Sequence, residues 1–453
     1  MSSLVFDPRD FGAAADGVTK DTAAVQKAID TAAARGGVVR LAGGSFCCGT
    51  LYLKSNLTLK IAPGAVLLAS PDIEDYTLDT HHNRYRNEPE LDRCFLYAED
   101  AVHILLQGGG TIDGNAEQFP NKGDSARPMM LRMLRCKHVR LQNLNLVNAA
   151  AWTTAFLDSD FIHTTDLYIE NHTNYNGDGL DFDGCSHVYV RGCHIDGTDD
   201  NLCLQSSGRS VQDVHISDCS FTSLCAGIRI GLKSIGDISG VVISNCTMHN
   251  VWREGIKIEC SEGGSITDVL VQNIVMHNVR RPLFVLLNNR FRPDDLGSSV
   301  ELDHIPAIGR IARLRFEGIT AVDEEIMSRP QRRLGNDVMG SPSFGGCRFD
   351  ANARHPIEDV CIRDFRYIAI GGTGPGSLPE NYPEVPDRLL TPYGPGSENY
   401  WPDWSRTTHM DLRNIRGLVM DGLHFSLVHP DPRPAILRQG CEEQEPHVFS
   451  VGK

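Results

Sequence analysis

Asn176-Gly177-Asp178-Gly179-Leu180-Asp181-Phe182 and, one short step later, Thr198-Asp199-Asp200-Asn201-Leu202 lie inside a repeating pattern, and that repeat decides the fold. Segments of the form apolar-x-apolar-x-(Asn/Gly/Asp) recur through the middle of the chain as Val139-Arg-Leu-Gln-Asn143, Val188-Tyr-Val-Arg-Gly192, Val214-His-Ile-Ser-Asp218, Val241-Val-Ile-Ser-Asn245 and Val269-Leu-Val-Gln-Asn273. From Val188 the steps are 26, 27 and 28 residues. A period in the twenties, made of short alternating strands with Asn, Gly or Asp at the corners, predicts an all-β, single-stranded parallel β-helix. The coil is expected to be right-handed.

A second strand series runs in phase with the first: Leu180-Asp-Phe182, Leu202-Cys-Leu204, Ile228-Arg-Ile230, Ile256-Lys-Ile258 and Leu283-Phe-Val285. Side chains alternate between the faces of a strand, so the aliphatic residues point into the coil and the residues between them point out. The outward ladder then reads Asp181, Cys203, Arg229, Lys257, Phe284, and two residues on Asp183, Gln205, Gly231, Glu259, Leu286. Asp178 and Asp200 fall at matching positions of adjacent coils, with backbones about 4.8 Å apart, and Asp199 sits in the turn beside them. The first strand series carries a far less charged outer face. Turn chemistry alone accounts for Asn-Gly-Asp-Gly and Gly-Thr-Asp-Asp one at a time. Three carboxylates within one coil step repel each other, a cost that structure does not require. Glycoside hydrolysis does require it, because one carboxyl must donate a proton while another, ionised, activates water.

The Asn-x-Asp and Asp-Asp motifs one coil apart resemble glycoside hydrolase family 28, the polygalacturonase and rhamnogalacturonase group. The opening from Phe11-Gly-Ala-Ala-Ala-Asp16-Gly17 to Ile29, then Gly36-Gly37 and Leu53-Lys54-Ser-Asn56, is similar to that of pectin-active β-helix proteins, as are Gly108-Gly-Gly-Thr-Ile-Asp113-Gly114, Ala151-Trp152-Thr and His355-Pro356. The resemblance implies Asp199 as general acid, with Asp178 and Asp200 holding the attacking water. It also exposes departures. The family's Gly-His-Gly aligns with Cys225-Ala226-Gly227, and its Arg-Ile-Lys with Lys257-Ile258-Glu259. Lys257, helped by Arg229, is expected to meet a uronate carboxylate, and Glu259 to repel it, which predicts poor turnover of plain polygalacturonate. Asp181, Gln205 and Trp152 complete the expected substrate-binding set, Trp152 being open to a sugar-stacking or a core role.

Two other readings stay in play: a polysaccharide lyase on the same scaffold, with Arg229 or Lys257 as base and calcium on Asp178, Asp181 and Asp183, and a non-catalytic carbohydrate-binding β-helix. The hydrolase reading needs no cofactor and no metal.

Composition agrees with a single solenoid domain over 1–453. Hydrophobic residues make up 41% and charged residues 22% of the chain, ordinary values for a globular protein. A net charge of −15 without a basic run argues against nucleic acid or an anionic membrane as partner. The expected partner is an oligosaccharide or polysaccharide, and homo-oligomerisation is left open. No charged-then-apolar leader opens the chain and no run of about 18 apolar residues occurs, so the expected location is cytoplasmic, or secreted if a leader has been removed. Cys193, Cys219 and Cys246 share a repeat position and are expected to stack as small buried residues. Residues 21–35 predict a helix ended by Gly36-Gly37, capping the open end of the solenoid. Two insertions, around 323–356 and 371–404, interrupt the repeat. The second holds Tyr382, Tyr393, Tyr400, Trp401 and Trp404, aromatic side chains able to close a cleft and restrict attack to chain ends.

Overall fold

The computed structural model describes residues 4–80, 93–121, 126–291, 304–323, 345–372, 384–386 and 405–444. They form a right-handed parallel β-helix in which each strand pairs with its counterpart one coil away. The described residues group into two compact units. The first contains the described residues up to Leu204 together with Gln212–Cys225, and the second contains Gln205–Val211 and the described residues from Ala226 on.

In the first unit three strand stacks repeat. One runs through Val102–Gln107, Lys137–Gln142, Asp160–Thr165, Ser186–Arg191 and Val211–Ser217, all parallel and in register. Its inward residues Val139, Leu141, Val188, Val190, Val214 and Ile216 are at most 1% exposed, each contributing about 1.5–3 kcal/mol through burial. The corners explain the Asn/Gly/Asp signature. Asn143, Gly192 and Asp218 all take left-handed φ, at 49°, 65° and 57°, a conformation that these residue types reach most easily. Cys193 and Cys219 follow those corners and are buried, as expected, and the Cys193 amide even donates to the Cys219 sulfur at 3.4 Å.

The helix spans Thr22–Arg35 and ends where Gly36 turns left-handed at φ 63°. Its spacing buries Val25, Ala28, Ile29 and Ala32 against the first coils. The Gln26 amide holds both the N–H and the carbonyl of Tyr52, at 2.8 and 3.0 Å. Asp21 does not cap the helix with its side chain. It accepts instead from the amides of Ala14 and Ala15, at 2.7 and 2.9 Å.

The second unit repeats the pattern with longer strands that run around corners, Ile238–Cys260, Ser265–Leu287, Arg310–Val322 and Ile357–Gly371. Asn245, Asn273 and Gly318 again take the left-handed corner, and Cys246 is 1% exposed. The repeat is less interrupted than the sequence suggests. Cys347–Asp350 is a strand paired with Phe284–Leu286 and with Met410–Leu412, although it falls inside the interval read as an insertion. Pairing on both sides recruits a segment too short to display a period. Residues 324–344 and the five aromatic residues of the other insertion lie outside the described residues. Among the described residues no helix is long and apolar enough to cross a membrane.

Candidate active site

The two aspartate motifs occupy successive coils of the first unit. The Gly179 amide donates to the Asp200 carbonyl at 3.1 Å and the Leu180 amide to that of Asn201 at 2.9 Å, a parallel register that sets Asp178 beside Asp200. Thr198 ties the same turns together: its hydroxyl donates to the Asn174 carbonyl at 2.6 Å and accepts from the Gly177 amide at 3.0 Å. On the other side, Thr153 donates to the Asp178 carbonyl through its amide at 3.0 Å and its hydroxyl at 2.6 Å. Close approach explains the glycines. A Cβ on Gly177 would meet the Thr198 hydroxyl at 2.6 Å, and one on Gly179 would meet the Asn201 carbonyl oxygen at 2.2 Å.

Asp199 and Asp200 place carboxylate oxygens within 4.8 Å of one another and of the Cys225 sulfur. The Asp200 amide donates to Asp199 Oδ1 at 3.0 Å, fixing that carboxylate's orientation. Ser223, which the sequence does not single out, donates to the Asp199 carbonyl at 2.6 Å and accepts from the Cys225 amide at 2.8 Å. Burial divides the trio, since Asp178 and Asp200 are 6% and 2% exposed while Asp199 is only partly buried. Asp199 can therefore reach a bound glycosidic oxygen, and the buried neighbours can grip a water. The close pair is tighter than the separation of about 6.5–9.5 Å usual for an inverting acid and base. The approach of Asp199 to Asp200 departs from that spacing.

Asp181, also expected at the site, points out of the same coil and is 3% exposed. Trp152 is 7% exposed, in an apolar cluster with Cys94, Tyr97, Met129, Leu134, Ala151, Ala155 and Leu157. That burial leaves its ring little surface for a sugar.

In the second unit the outward ladder has the expected register, Arg229 beside Lys257 beside Phe284, and Gly231 beside Glu259 beside Leu286. Its environment is not the expected one. Lys257 and Glu259 are fully buried, with Gln205 at 7%. Glu259 Oε2 lies 3.1 Å from Arg229 Nη2 and 3.4 Å from Lys257 Nζ. Glu254 Oε2 lies 3.8 Å from Lys257 Nζ and 3.6 Å from Arg253 Nε. Three cations thus face two carboxylates. Glu259, expected to repel a uronate, has its charge matched at contact distance. Arg253 and Glu254 were not expected here, although Glu254 sits on the ladder two positions before Ile256. One coil on, Phe284 and Leu286 are covered by Val385, whose carbonyl accepts from the Asn352 amide at 2.8 Å.

The fold is that of a parallel β-helix protein, with a carboxylate cluster on two successive coils. The sequence model of glycosyl hydrolases family 28 matches residues 74–294 of this chain. A probable polygalacturonase of Vitis vinifera is 25% identical over 224 residues, 44% of this chain and 43% of that protein. The exo-poly-alpha-D-galacturonosidase of Dickeya chrysanthemi is 24% identical over 243 residues, 42% of this chain and 40% of that protein. The chain therefore spans less than half the length of these two relatives. A hyperthermoactive exopolygalacturonase from Thermotoga maritima shares the fold at a TM-score of 0.64 and 19% identity, over 81% of this chain and 87% of that one.

Proposed function

We propose that this protein is an inverting glycoside hydrolase acting on pectin-related oligosaccharides from a chain end. The observation that carries the reading is the carboxylate trio, with Asp178 beside Asp200 on adjacent coils and Asp199 within 4.8 Å of Asp200. In the proposed reaction Asp199 gives its proton to the glycosidic oxygen as the bond to the anomeric carbon breaks. A water held by Asp178 and Asp200 attacks that carbon from the opposite face and leaves its proton on the pair. One displacement inverts the anomeric configuration.

The pairing of Glu259 bears on the substrate. A lone carboxylate about 4 Å from a uronate would cost on the order of 4 kcal/mol at an effective dielectric of 20, which was the basis for expecting poor turnover of polygalacturonate. With Arg229 and Lys257 in contact with Glu259, that repulsion is offset, and the proposal extends to galacturonate oligomers. The chain-end reading starts from the long insertion around 371–404, whose aromatic residues are able to close a cleft. The Dickeya relative's name points the same way.

Reducing-end release from oligogalacturonate and neutral pectic oligosaccharides, followed with ultraviolet absorbance, tests the proposal. A hydrolase releases reducing ends without the absorbance of an unsaturated product. Appearance of that absorbance would make the protein a lyase, and binding without any product would make it a carbohydrate-binding protein.

A further inference from the structure

Arg127 is fully buried, and the chemistry proposed above makes no use of it. Its guanidinium works as a fork between the turns of two successive coils. Nη1 donates to the Tyr175 carbonyl at 2.7 Å and to the Ala150 carbonyl at 3.3 Å, while Nη2 donates to Asn176 Oδ1 at 2.9 Å. Tyr175 and Asn176 lead directly into Gly177-Asp178. Asn176 itself is left-handed, at φ 57°, in the turn that Arg127 grips. Asn174 ties the same turn to the two before it by donating to the Ala150 and Ala116 carbonyls, each at 3.1 Å. A buried cation is expensive to desolvate, by several kcal/mol, and a turn that needed only filling would be served by an apolar side chain.

We infer that Arg127 is a positioning residue: it sets the path of the Tyr175–Asp178 turn, and with it the direction of the Asp178 carboxylate toward Asp200, without touching substrate. The inference rests on the reading of Asp178 as a water-holding carboxylate. Loosening the fork should misplace the water and leave sugar binding alone, so the loss falls on kcat and not on KM. A misplacement near 1 Å is enough for a loss of about 10²-fold. Lysine cannot substitute, because a single ammonium lacks the planar pair of donors that spans both acceptors.

Three variants, assayed on oligogalacturonate, test this: Arg127→Lys, Arg127→Ala and Asn176→Gly. The last keeps a residue that accepts left-handed φ while removing the side chain that carries Oδ1, and guards against failure of the arginine variants to fold. Expected results are a kcat lower by about 10²-fold with KM little changed, and losses that do not add in the Arg127→Lys/Asn176→Gly double variant. Partial recovery of Arg127→Ala by added guanidinium, without a response from the wild type, is also expected. Amide exchange at Gly177 and Gly179 should quicken in Arg127→Lys whether or not substrate is turned over. Full kcat with unchanged exchange in both Arg127→Lys and Asn176→Gly overturns the inference, as does simple additivity. Should Asp199→Asn match the wild type, the hydrolase reading fails, and the exchange measurement alone then decides whether Arg127 sets the turn.

Discussion

Arg229 and Glu259 meet across one coil step, Nη2 to Oε2 at 3.1 Å, with the carboxylate fully buried. Lys257 stands 3.4 Å from the same carboxylate oxygen. The arrangement is a charge cluster first and a candidate sugar contact second, and its energetics follow from that order. Removing one member of a buried pair leaves the other uncompensated, which typically costs about 3–5 kcal/mol. Glu259→Leu should therefore lower the denaturation midpoint sharply, because it strips both Arg229 and Lys257 of a carboxylate, and Glu259→Leu combined with Lys257→Met should recover part of the loss. Urea titrations of the two single variants and the double variant measure this. Equal destabilisation by the single and double variants would show that the ion pair is not the cause.

The acid–base trio gives the next expectation. Asp199→Asn, Asp178→Asn and Asp200→Asn should each reduce turnover by about 10²–10⁴-fold, the usual contribution of a positioned proton donor or acceptor. Their melting temperatures should remain near that of the wild type, because removing mutually repelling charge does not weaken the fold. Proton NMR of the first product should show inverted anomeric configuration. Retention would require a glycosyl-enzyme intermediate and exclude the proposed water-holding role.

Asp323 makes stability depend on pH. It is 1% exposed, accepts from the Tyr367 hydroxyl at 2.8 Å, and burial pushes its carboxyl up to about 8 from an ordinary 3.8. The folded state therefore holds a proton that the unfolded chain has already released. This contribution is fully present below the unfolded value and fades as pH rises toward the folded one, at up to about 1.4 kcal/mol per pH unit. Asp323→Asn cannot ionise, so its stability relative to the wild type should improve steadily from pH 5 to pH 8. A difference that stays constant over that range would remove Asp323 as the titrating group.

Val385 provides a test of chain-end attack. Val385→Ser weakens its apolar seat on Phe284 and Leu286. If chain-end attack depends on that seat, the wild type should release one small sugar steadily and the variant should begin to produce mixed intermediate lengths from a long substrate. A wild-type protein that already yields the mixed ladder would exclude exo-action outright.

Much of this protein is set by local sequence alone. The left-handed corners at Asn143, Gly192, Asp218, Asn245 and Asn273 follow from residue type, because few other side chains tolerate that φ. The inward Val and Ile positions follow from the period-two alternation of a strand. Those two local rules suffice for the β-helix, for the register of Arg229, Lys257 and Phe284, and for the neighbouring positions of Asp178 and Asp200. The tertiary structure decided what covers each outward face. Alternation specifies the direction of a side chain but not its surroundings, so Trp152 and Glu259, both directed outward, could not be recognised as buried from the repeat. Nor could the strand Cys347–Asp350, which owes its conformation to partners on either side, or Arg127, whose acceptors lie 23 and 48 residues away. Contacts at such separations depend on how successive coils stack, and only the folded chain brings them together.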